Sequence, residues 1–68
     1  MSDNVAEIIF YTTHGEELHI FSDEIDYIEN EEYSYPYLFL KDEFKEKYFR
    51  KSFQLTSVPK NAKGFVRG

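Results

Sequence analysis

With 68 residues, no cysteine and only two histidines, this chain has to hold itself together by side-chain packing. A domain of this size buries only about 60% of the surface its unfolded chain exposes, and many rely on disulfides or a structural metal. Disulfides are impossible here. A zinc site wants three or four converging ligands, and His14 and His19 are its only nitrogen donors. Seven Phe and six Tyr therefore supply much of the apolar area, at roughly 150–250 Å² each when packed. Either all thirteen fill one small β core, or some are left for a subunit or partner interface. The length allows one domain, residues 1–68, and no second core.

The order of residues favours strands. Val5–Thr13 is rich in β-branched and aromatic residues, His14-Gly15 offers a tight turn, and Glu17–Phe21 can return. A two-residue turn there places Tyr11 opposite Leu18 and Ile9 opposite Ile20. Ile9, Tyr11, Leu18 and Ile20 then share one face, and Ile8, Phe10, His19 and Phe21 the other. A hairpin apolar on both faces is either central in a small barrel or exposes one face to a partner.

Ser22-Asp23-Glu24 is a polar break, Ile25–Glu29 a short strand and Asn30-Glu31-Glu32 a loop. Tyr33–Leu40 alternates cleanly, with Tyr33, Tyr35, Tyr37 and Phe39 on one side. Pro36 cannot donate to a ladder, so this is an edge strand or its pairing starts after the proline. Asp42–Lys51 lacks Gly, Pro and β-branched residues and carries Glu43→Lys47 and Glu46→Arg50 at i,i+4, which predicts one short helix. A β-hairpin turning near Glu43–Glu46 is the rival. Ser52–Val58 returns to strand alternation, with Phe53 and Leu55 on one side. Residues 60–68 are expected to fray unless Phe65 and Val66 dock. The fold expected is mainly β: a small single sheet or barrel-like domain of four to five short strands, opened by a hairpin over Val5–Phe21.

Ile25-Asp26-Tyr27-Ile28-Glu29, followed by Tyr48-Phe49-Arg50-Lys51-Ser52-Phe53, resembles the rhythm of LytTR-type DNA-binding domains. Those domains show an Ile-x-Tyr-Ile-Glu-like strand and a later Phe-Arg-x-His-Arg-Ser-like segment. The His-Arg pair is absent here, the interval is short and the net charge is negative. The resemblance thus implies a strand pattern and carries over no functional residues.

Charge is divided along the chain. The first forty residues hold ten carboxylates and no Lys or Arg, a formal −10; the remainder carries +5, for a net −5. Such a division speaks to fields and partners. The clusters Glu16-Glu17, Asp23-Glu24-Asp26 and Glu29-Glu31-Glu32 lack the spacing of a calcium loop. Paired carboxylates for acid–base work need a dry cleft, which a chain this short rarely builds. No nucleophile, base and oxyanion donor can be assembled, so an enzyme is not expected, nor a metal or other cofactor.

The function expected is a small acidic protein-binding module, an inhibitor or regulator. Glu16, Glu17, Asp23, Glu24, Asp26, Glu29, Glu31 and Glu32 would meet a basic surface of a partner protein, including one that binds nucleic acid. Tyr33, Tyr35 and Tyr37 would be its desolvated anchors. The alternatives are a homo-oligomer whose acidic and basic halves meet between protomers, and a nucleic-acid binder working through Lys45–Lys51 and the tail. Neither a signal-peptide pattern nor a transmembrane run is present, and a cytoplasmic protein is expected.

Overall fold

The computed structural model describes residues 5–67, and the chain opens with an antiparallel hairpin of β1 (Glu7–Tyr11) and β2 (Glu17–Phe21). Its turn is longer than the two-residue loop expected at His14-Gly15. A type I′ turn needs positive φ at both central positions, which is costly for any residue but glycine. Here Gly15 alone adopts it, at φ 84°, and its N–H donates to the Thr12 carbonyl at 3.0 Å. The buried Thr12 hydroxyl accepts the N–H groups of His14 and Glu16 at 3.2 and 3.1 Å, pinning the loop from inside.

The longer loop moves the register by one. Ile8 pairs with Ile20, Ile9 with His19, Phe10 with Leu18 and Tyr11 with Glu17. A one-residue slip exchanges the faces of one strand relative to the other. Ile8, Phe10, Leu18 and Ile20 therefore turn to the core, while Ile9, Tyr11, His19 and Phe21 lie outside. This corrects the pairing of Ile9 and Tyr11 with Leu18 and Ile20.

A single 3-10 turn, Ser22–Glu24, leads into a four-stranded sheet of β3 (Ile25–Glu29), β4 (Tyr37–Leu40), β5 (Ser52–Gln54) and β6 (Val66–Arg67). The order is β5-β4-β3-β6, antiparallel except for the parallel β3–β6 pair. In β3 the register shifts at Asp26, with Ile25 opposite Leu40 but Tyr27 opposite Phe39. The bulge lets Ile25 and Ile28, three residues apart, both reach the core. Pairing in β4 starts after Pro36, so the strand can be central despite the proline. The Pro36 carbonyl accepts the Leu55 N–H at 2.7 Å.

The stretch expected as a helix, Asp42–Lys51, forms a 3-10 turn at Asp42–Phe44 and further turns. Its bonds are of the i→i+3 kind: Lys45 to Asp42, Lys47 to Phe44 and Phe49 to Glu46. A helix this short is marginal on its own, and tertiary partners claim the charges that would have supported it. Lys47 pairs with Glu24 instead of Glu43, and Lys51 with Asp42. The whole segment is a long connection between antiparallel neighbours β4 and β5, closer to the rival hairpin reading.

Residues 60–67 are held, because Phe65 and Val66 do dock. Pro59 starts a 3-10 turn, Lys60–Phe65, whose Ala62 is completely buried. Val66 then pairs beside Ile28. The Thr12–Leu55 bridge and the Thr13 N–H bond to the Gln54 carbonyl stitch the hairpin to β5. The core between the sheets is mostly aliphatic: Ile8, Ile20, Ile25, Ile28, Leu38, Leu40 and Leu55, with Ala62, Phe10 and Phe53. Only those two of the thirteen aromatic residues are buried. The expectation of a mainly β fold with short strands holds, but the aromatic residues lie largely outside its core.

Candidate functional site

Strand direction decides which charges meet. β3 runs from Ile25 to Glu29 and β4 returns from Tyr37 to Leu40, so residues 23–26 lie at the same end as residues 41–51. The Lys41 N–H bond to the Glu24 carbonyl, at 3.0 Å, ties the two segments. The β1–β2 turn and residues 30–36 open from the opposite end, both next to Gln54 and Leu55. The eight candidate carboxylates are thereby split. Asp23, Glu24 and Asp26 fold beside the basic segment; Glu16, Glu17, Glu29, Glu31 and Glu32 remain at the other end.

Glu24 leaves the proposed acidic surface altogether. It is 3% exposed, accepting the Phe21 N–H at 3.1 Å and the Tyr48 hydroxyl on Oε1, and the Lys47 ammonium on Oε2 at 2.7 Å. Burial would push its carboxyl up, but these three donors outweigh that and hold it below its ordinary value. The Lys47 ammonium is held up chiefly by the Glu24 bond, and the Tyr48 phenol is held up by burial and then by Glu24. This is structural chemistry: the carboxylate joins the end of β2 to the β4–β5 connection. The sequence placed it in an exposed acidic cluster because nothing local reveals Lys47 and Tyr48 as its partners.

The far end is different. Tyr33 is 95% exposed and Tyr35 55%, flanked by exposed Glu31 and Glu32. None of these four side chains has a hydrogen bond or ion pair among the described residues. Tyr33, Ser34 and Tyr35 line a shallow depression of about 340 Å³. Tyr37, in contrast, is half-buried on the outer face of the sheet. Its ring lies 6.4 Å from Phe39, which stacks on Tyr27 at 4.7 Å. The Arg67 guanidinium covers Tyr27 at 4.1 Å. The row Tyr33, Tyr35, Tyr37, Phe39 is thus divided between a free loop and a satisfied sheet face.

Two more carboxylates are occupied on the outer hairpin face. The His19 ring bridges Glu7 at 3.1 Å and Glu17 at 2.7 Å. Carboxylates only accept, so the imidazolium alone satisfies both. The Glu17 bond, then the Glu7 bond, raise the His19 pKa above 6.5. Glu16 lies within 3.4 Å of the Thr12 hydroxyl. Among the described residues no group of three or more His, Cys, Asp or Glu is arranged to hold a metal ion. No helix among them is long and apolar enough to cross a membrane.

No protein-family model matches the chain, and neither curated proteins nor solved structures include a match. Ile25–Glu29 is a strand, as the LytTR-like rhythm implies, but no family accompanies it. Sequence reasoning missed one surface. Phe49 stands 92% exposed among Lys45, Glu46, Arg50 and Lys51. Its signal was the apolar residue that fits neither Phe44 nor Tyr48 on a helical stripe.

Proposed function

We propose that this protein is a non-enzymatic binding module that docks its acidic, tyrosine-bearing end on a basic surface of a partner protein. The surface comprises Glu16, Glu17, Glu29, Glu31 and Glu32 with Tyr33 and Tyr35. The observation that carries the reading is Tyr33, a large ring left in water by the fold next to Glu31 and Glu32, whose side chains have no internal partner. Tyrosines of this kind act as interface anchors, because the ring is apolar and the phenol tolerates water. The carboxylates would steer the encounter, and a nucleic-acid-binding surface is the basic target they suit best. Occupying it makes the module an inhibitor or regulator. Direct nucleic-acid binding through residues 41–51 is less well supported, since the chain carries a net charge of −5 and its long-range attraction to a polyanion is poor.

The test uses the protein as bait in a lysate of its source cells, beside a Glu31→Gln/Glu32→Gln/Tyr33→Ala variant. A specific partner should be retained by the wild type and lost by the variant. Its association rate should fall steeply as salt is raised from about 0.02 to about 0.2 M. Equal retention by both proteins, or a rate indifferent to salt, would overturn the proposal.

A further inference from the structure

Phe49 carries a cost that the fold does not explain. Its backbone lies at φ 64°, the only positive φ at a non-glycine residue among those described, and its ring is almost wholly in water. The left-handed region costs an ordinary residue roughly 1–2 kcal/mol, and strain of this kind gathers at binding segments. The neighbours are held in place around it. Arg50 donates through Nε to the Ser52 carbonyl at 3.1 Å and lies over Phe53 at 4.9 Å; Lys51 is bonded to Asp42 at 2.7 Å. Lys45, Glu46, Phe49, Arg50 and Lys51 line a groove of about 540 Å³. With Lys51 already paired to Asp42, Lys45 and Arg50 stand against the one carboxylate Glu46 beside an aromatic wall, which suits an anionic segment that brings an aromatic ring.

Residues 30–36 are such a segment, with Glu31, Glu32, Tyr33 and Tyr35 exposed. Within one chain they cannot enter the groove. They lie beyond the Tyr37 end of β4, whereas the groove lies beyond its Leu40 end, in a molecule 39 Å long. We propose that the groove receives this loop from a second copy of the chain, so that molecules associate head to tail. The inference rests on the reading of the acidic end as a binding surface and names a partner for it. The Tyr33 ring packs on Phe49, and Glu31 and Glu32 approach Lys45 and Arg50. Unlike surfaces meet, so the contact is heterologous and propagates into chains or closes into a ring. The interface is small, below about 1,200 Å², and the association is correspondingly weak.

Sedimentation equilibrium tests this with two variants. Glu31→Gln/Glu32→Gln/Tyr33→Ala lacks the loop chemistry but keeps the groove. Lys45→Gln/Phe49→Ala/Arg50→Gln lacks the groove but keeps the loop. All six residues are exposed, and near-unchanged urea midpoints verify that both variants fold. In about 0.02 M salt the wild type should gain mass with concentration, reverting to monomer in about 0.5 M salt. Each variant alone should stay monomeric, and an equimolar mixture should stop at a 1:1 dimer. A monomeric wild type in low salt, a groove variant that associates like the wild type, or a mixture that stays monomeric overturns the inference. If the loop variant still loses a different, basic partner, the acidic-end reading survives that failure. If it retains both self-association and partner, both readings fall.

Discussion

Glu24 and Phe49 show opposite uses of an unfavourable placement. Glu24 is a buried charge made tolerable by three donors, so its removal strands the Tyr48 hydroxyl and the Phe21 N–H. Glu24→Ala should cost about 2–4 kcal/mol in chemical denaturation. Its partner Lys47 is half-exposed, but Lys47→Met should also lower the denaturation midpoint, because it leaves the buried Glu24 carboxylate without its counter-ion. Because the folded pKa of Glu24 lies below 4.5, its contribution is complete above that pH and is lost as pH falls through the folded value. Acid unfolding of Glu24→Ala should lack this component. Phe49 is the reverse case, a residue whose strain no internal contact offsets. Phe49→Gly should raise stability by about 0.5–1 kcal/mol, the left-handed penalty removed less the entropy of glycine in the unfolded chain. An unchanged or lower denaturation midpoint would show that the ring is part of the fold.

The bulge in β3 and the turn of the hairpin each depend on one residue out of step. Asp26 is the extra residue that allows Ile25 and Ile28 to face inward together. Deleting Asp26 should restore strict alternation with Ile25 and Ile28, then two residues apart, still facing inward together. The deletion variant should therefore keep a denaturation midpoint far closer to the wild type than loss of a buried Ile, roughly 2–5 kcal/mol, would allow. In the hairpin, His19 ties β1 to β2 across the outer face. Its pKa is raised, so its stabilisation is complete below pH 6.5 and disappears as pH rises through the folded value. Proton NMR should find His19 titrating above 6.5. Denaturation midpoints of the wild type should fall over that range, and those of a His19→Gln variant should not.

Across the molecule, folding rearranges a charge division that is sharp in the chain. The bases of residues 41–51 are brought beside Asp23, Glu24 and Asp26, which leaves the negative field to the opposite end. Those carboxylates contribute little to the fold: Glu31→Gln/Glu32→Gln should change stability by less than about 0.5 kcal/mol, because neither has an internal partner. A larger loss of stability would mean that the acidic end serves the fold rather than an encounter with another molecule.

Local pattern was enough for β1 to β3 and the hairpin, the loop at residues 30–32 and the exposure of Glu31 and Glu32, since alternation and polarity act over a few residues; it overran β4 and β5, expected over Tyr33–Leu40 and Ser52–Val58, and missed β6. Pro36 correctly limited where β4 could pair, because a missing N–H is a property of the residue wherever it lies. The hairpin register, the bulge at Asp26, the lack of an α-helix at Asp42–Lys51 and the burial of Glu24 were not legible. The hairpin register turns on how the Thr12 hydroxyl holds its own turn, and the others on partners farther off in the chain: Leu40 and Phe39 with β3, Lys47 and Tyr48 with a carboxylate more than twenty residues away. Alternation says which residues can face inward, but only close packing and the pairing of buried polar groups choose among the faces available.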